Sequence, residues 1–271
     1  MAARSRSKSG KARRQPKGGG RAIPFAAASP EAQAEALAAR LSQERLEAFT
    51  AALRPADGNP AVPDIRALHE IVRGSFALFD SLHDDLILDP PLACKQGCIH
   101  CCWNQVALTE PEALYLGLHL LDTRTPERLR ELAAKAEGLV DGLKGKSWRE
   151  IGMARHRLPC LFLENGNCSV YPARPLACRG WNSVNAAMCL ESNLTEDALT
   201  PIENHPILRL MADSIQDGLL RGSRSMALEA GYLLMARATH LLLRDDPAAT
   251  ILACAESWLL GQPLFGRKRD W

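Results

Sequence analysis

The sequence predicts a mainly α-helical protein with one short β-hairpin near its centre. Three observations predict it. Aromatic residues make up only 5% of the chain while Ala and Leu abound, which favours helix over sheet. Helix-start signals recur along the chain, and a single Asn-Gly pair sits between two short apolar runs.

The first start is Ser29-Pro30-Glu31, which joins an N-cap hydroxyl to a first-turn proline and an early acid. Leu37, Leu41, Leu46, Phe49 and Leu53 then recur on one helical stripe. Residues 54–63, rich in Pro, Gly and Asn, break it. A second helix is expected from Asp64 to about Leu86, with Ile65, Leu68, Ile71, Val72, Phe76 and Phe79 inward. Pro90-Pro91 stop it. Thr109 with Pro111 and Glu112 opens a helix through Leu121, and Thr125-Pro126-Glu127 opens one to about Leu143. A short helix is expected within 147–157.

Leu161-Phe162-Leu163 and Ser169-Val170-Tyr171 flank Glu164-Asn165-Gly166-Asn167, the hairpin signal. Helices are expected again at roughly 205–221, 224–244 and 247–260. The organisation reads as a basic tail (1–28), N-terminal helices (29–89), a cysteine-rich region (90–190) and C-terminal helices (191–271).

The net charge of +2 hides an asymmetry. Eight Lys/Arg and no acid fall in the first thirty residues, leaving 25 basic against 31 acidic residues in the rest. Residues 1–28 lack apolar periodicity and read as a disordered, solvated tail. Contact of that tail with nucleic acid is a less favoured reading, and an Arg- and Ser-rich transit segment is another alternative. No apolar run suits a membrane span or a secretory signal, so the expectation is a cytoplasmic protein.

Nine cysteines dominate the chemistry. In a reducing compartment, clustered Cys points to metal or redox chemistry rather than disulfides. Cys94, Cys98, Cys101 and Cys102 fall within nine residues, in the spacing Cys-x3-Cys-x2-Cys-Cys. Cys160, Cys168 and Cys178 follow, with Cys189 behind them. Thiolates bind zinc or iron, and a closed site takes four. Adjacent side chains diverge, so Cys101 and Cys102 are expected to serve a multinuclear cluster or two sites. Gly97 argues for a loop leading into a helical turn. Cys160 and Cys168 are placed on either side of the hairpin, and Cys178 follows the rigid return Tyr171-Pro172-Ala173-Arg174-Pro175. Arg174 and Arg179 are candidate cofactor-binding residues that offset thiolate charge. Cys254, in an apolar helical stretch, reads as packing. His100 reads as a neighbour of the ligands rather than one of them.

Taken together, these blocks resemble the bacterial CxxCxxCC cysteine-cluster family of zinc- or iron-chelating domains. The resemblance spans roughly residues 90–180. It rests on Cys94-x3-Cys98-x2-Cys101-Cys102, Cys160-Leu-Phe-Leu, and Gly166-Asn-Cys168-Ser-Val-Tyr171-x2-Arg174-Pro175-x2-Cys178-Arg179. Its first gap has three residues where the family name has two. The resemblance implies an iron–sulfur cluster or zinc held by the seven motif cysteines, and no settled activity.

Three functions follow. The favoured one is a metal-binding protein with an iron–sulfur cluster (or iron or zinc), acting in electron transfer, metal handling or sensing, with a protein partner allowed. The second is a structural zinc module in an interaction protein. The third is an S-adenosylmethionine-dependent radical or methyl-transfer enzyme, suggested by the three-cysteine spacing and by a related motif in flagellin lysine N-methylases. Against the third stands the lack of an alternating strand–helix pattern. Hydrolase signatures are absent from the sequence.

Overall fold

A computed structural model describes residues 29–54, 64–154 and 157–265. The basic tail, the 55–63 break and the chain end from 266 lie outside the described residues. Among the described residues, ten α-helices carry the fold, with two small antiparallel two-stranded sheets.

Local chemistry sets the helix starts as the sequence predicts. Helix α1 (Pro30–Leu53) is capped by the Ser29 hydroxyl, and α2 (Ile65–Asp84) by the Asp64 carboxylate. Helix α3 (Glu110–Thr123) opens with a complete capping box between Thr109 and Glu112. Helix α4 (Pro126–Leu143) starts at Thr125, and α5 (Trp148–Met153) opens with a second capping box, Ser147 with Glu150.

Strand β1 (Ala107–Thr109) follows the first cysteine block directly. The expected hairpin forms from β2 (Leu163–Glu164) and β3 (Asn167–Cys168), with Asn165 and Gly166 both at positive φ. Leu163 pairs with Cys168 and Glu164 with Asn167. Two short helices follow that the sequence reading did not resolve, α6 (Leu176–Gly180) and α7 (Ala186–Leu194).

The C-terminal third holds α8 (Pro206–Ser225), β4 (Tyr232–Leu234), α9 (Met235–Leu242) and α10 (Pro247–Leu259). Here one expectation is corrected: 224–244 is not one helix. Ala227 adopts φ 58, which ends the helical path, and Tyr232–Leu234 pairs with Ala107–Thr109 instead. Long-range strand pairing overrides the helical period of a segment this short.

Helices α1 and α8 pack with their backbones close together. A Cβ on Gly222 would lie 2.7 Å from the Phe49 ring, and one on Gly218 would lie 2.5 Å from the Ser42 carbonyl oxygen. Two glycines four residues apart therefore let the backbones approach where larger side chains would separate them. Phe49, fully buried, meets Trp258 edge-on at 6.5 Å. Cys160 and Cys168 pack against the same core as these helices.

Candidate metal centre

Residues 94–102 form a loop that tightens into a 3-10 turn, His100–Trp103. The Cys98 amide donates to the Lys95 carbonyl at 3.0 Å, and Gly97 sits in the bend at φ 88, a conformation glycine adopts without strain. This is the loop-to-turn form expected from the prolines and Gly97.

Both flanks of the loop are clamped. On the hairpin side, the Cys160 amide donates to the Cys102 carbonyl at 2.7 Å. On the other, the Ala93 amide donates to the Ser183 carbonyl (3.0 Å), while the Ser183 amide donates to Cys94 Sγ (3.2 Å). Asn193 of α7 donates to the His100 carbonyl at 3.3 Å and lies 3.4 Å from His100 Nδ1. The histidine thus belongs to the loop's scaffold.

Cys101 is where the two cysteine blocks meet. The adjacent Cys102 thiol and burial together hold its thiol strongly in the protonated form. Burial pushes the Cys160 thiol up to about 12, with Cys168 and Cys101 near enough to add to the effect. Burial also raises Cys178 far above the ordinary thiol range, and Cys160, Cys101 and Cys168 reinforce it. Desolvation raises Cys94 as well, and there the neighbours are Cys98, Cys101 and Cys189. Cys94, Cys98, Cys101 and Cys178 line one cavity of about 150 Å³.

All of these cysteines are free thiols. Among the described residues, no three His, Cys, Asp or Glu side chains are set as a closed metal site. The donor chemistry nonetheless fits a thiophilic metal: several buried thiols converge, and burial disfavours their charge until a cation supplies compensation.

The two arginines divide their work. Arg174 lies over the Tyr171 ring at 4.0 Å and is felt electrostatically by Cys101, Cys168 and Cys178. Its Nε is buried without a hydrogen-bond partner. Arg179 points its donors elsewhere. It bonds both Asp80 carboxylate oxygens (2.7 and 2.6 Å), the Arg174 carbonyl (3.0 Å) and the Pro172 carbonyl (2.7 Å), and it lies over the Phe76 ring. In this geometry Arg179 shapes the return that carries Cys178 and ties it to α2. Asp80 is the partner that sequence reading missed, since a lone acid on an amphipathic helix carries no signal of its own.

Glu112 was read only as part of a helix start. Fully buried, it accepts from the Thr109 amide (2.9 Å), the Thr109 hydroxyl (3.0 Å), the Leu176 amide (2.8 Å) and Gln216 Nε2 (2.8 Å). One carboxylate thereby joins the start of α3, the helix bearing Cys178, and α8. Its Glu at the third position of the capping box was the only available sequence signal.

Residues 93–195 match the CxxCxxCC family. That family is described as a putative zinc- or iron-chelating domain. The matched segment starts one residue before Cys94 and takes in all eight candidate ligands through Cys189. Neither the curated proteins nor the solved structures contain a match to the chain. The CxxCxxCC match supports metal binding through the cysteine region. Among the described residues, no helix is long and apolar enough to cross a membrane.

Proposed function

We propose that the CxxCxxCC domain holds an iron–sulfur cluster through cysteines of both sequence blocks and serves electron transfer, metal handling or sensing. The carrying observation is the position of Cys101. It lines one cavity of about 150 Å³ with Cys94, Cys98 and Cys178, and its neighbour Cys102 is joined to Cys160 through the backbone. A single zinc ion takes four ligands, so a set this large is better accounted for by a cluster or by more than one ion.

When bound, such a cluster supplies a one-electron redox couple. The protein's own part is to gather and shield it. Cys94, Cys98, Cys101, Cys102, Cys160, Cys168 and Cys178 are the proposed ligands, and Cys189, close to Cys94, is the eighth candidate. The unpartnered Arg174 Nε–H is a donor free to serve a thiolate or sulfide. Cys101, Cys160 and Cys178 are each partly withdrawn from solvent.

Anaerobic purification followed by iron, sulfide and zinc analysis tests this. Iron and sulfide in comparable amounts, with a charge-transfer band in the visible, support the cluster. A colourless protein with stoichiometric zinc and no sulfide sinks it and leaves the structural zinc module.

A further inference from the structure

A second concavity lies against the metal centre. It has a volume of about 730 Å³, within the range of small-molecule sites. Asn104, two residues after Cys102, lines it, as does Ala177, the neighbour of Cys178. Trp181 belongs to both this cavity and the cysteine-lined one.

Two features set this cavity apart from an ordinary surface dent. The first is its apolar wall. Met153, Trp181, Leu199 and Tyr232 line it while remaining 47%, 40%, 76% and 49% exposed. Large apolar side chains left in water around one concavity mark a place that something covers. The second is charge. Among the described residues, the charged side chains of the lining are Arg149, Arg209 and Asp213, a net of +1, although residues beyond the first thirty carry more acids than bases. Arg209 is paired with Asp213 at 2.9 Å and its guanidinium lies 6.0 Å from the Trp181 ring centroid. Arg149 makes no ion pair among the described residues and is exposed at the rim.

We infer that this cavity binds a small organic anion with a flat apolar body. The aromatic side chains Trp181 and Tyr232 take the body, and Arg149 takes a carboxylate or sulfonate by charge-assisted hydrogen bonds. A concave site of this size with a free guanidinium fits a metabolite-sized anion better than a protein surface, which would meet it as a flat patch. The inference does not rest on which metal the cysteines hold.

Calorimetric titration of the full chain with 1-naphthoate, naphthalene-1-methanol and 1-naphthylmethylammonium tests it. These share one ring system and differ in charge. Saturable 1:1 binding of 1-naphthoate is expected, weaker binding of the alcohol, and none of the cation. Arg149→Gln, on an exposed helix face, should weaken 1-naphthoate by about tenfold, and Leu199→Asp should abolish it. Equal binding of the cation, no change in either variant, or no saturable binding of any probe overturns the proposal. Iron and zinc are measured on the same samples, so loss of the metal reading is seen separately from loss of this one.

Discussion

The amide of Cys160 donates to the carbonyl of Cys102 across 2.7 Å, which joins the two cysteine blocks by backbone alone. The contact does not depend on the protonation of any thiol. This one link between the blocks needs no thiol, so it should persist when a single cysteine is replaced.

Cys101→Ser should lose most of the bound metal, because its thiol stands between both blocks. Cys254→Ser should keep the full content. Cys254 is partly buried in α10 and interacts with none of the other cysteines. Metal analysis of the two variants beside the parent chain checks this. Equal retention in both would remove Cys101 from the site.

Arg174→Gln takes away the cation nearest Cys101, Cys168 and Cys178. Thiolates lose compensation, so metal should be held about tenfold more weakly and released at a higher pH than in the parent. Competition with a chromophoric chelator between pH 6 and 8 reads both effects. An unchanged release midpoint would show that Arg174 does not act on the sulfurs.

Asp80→Asn should destabilise the protein by about 1–2 kcal/mol. Arg179 is buried, and the change leaves its guanidinium without the opposite charge. Asp80 itself is half exposed, which keeps the loss below that of a fully buried pair. Urea unfolding followed by circular dichroism measures it, and lower metal retention should accompany it through the displaced Cys178 turn.

Glu110 sets a pH dependence of stability. Burial raises its carboxyl to about 7, although the Gly231 amide at 2.7 Å opposes the rise. The ordinary value is 4.5, so between about 4.5 and 7 the folded state binds more protons than the unfolded one. Stability should therefore fall as pH rises through that window, by up to about 3 kcal/mol. Glu110→Gln keeps an acceptor for Gly231 and removes the slope. Urea midpoints at pH 5, 6, 7 and 8 for parent and variant give the difference, and parallel profiles would contradict it.

How far the sequence could be read depended on the range of the forces involved. Helix starts at Ser29, Asp64, Thr109 and Thr125 are local devices, satisfied within three residues, and these were legible. The Asn165-Gly166 turn was legible for the same reason. Strand β4 was not, because Tyr232–Leu234 becomes a strand only by pairing with Ala107–Thr109, far away in the chain. At the centre, the cysteine pattern pointed to the donors. The Asp80–Arg179 pair and the four donors on Glu112 needed a fold to bring them together.

The packing of α1 on α8 encloses the whole centre within one long loop. Arg221 and Asp217 of α8 reach Ser42 of α1, and Ser42 and Asp217 are 175 residues apart. A metal bridging Cys102's loop to Cys160's would shorten the loop that this pair must close by about 58 residues. Closure entropy grows only with the logarithm of length, so the saving is about 0.4 kcal/mol. Metal and scaffold are thus nearly uncoupled in polymer terms. Stripping the metal should loosen the span from 94 to 189 while the α1–α8 frame and most of the helical circular dichroism survive.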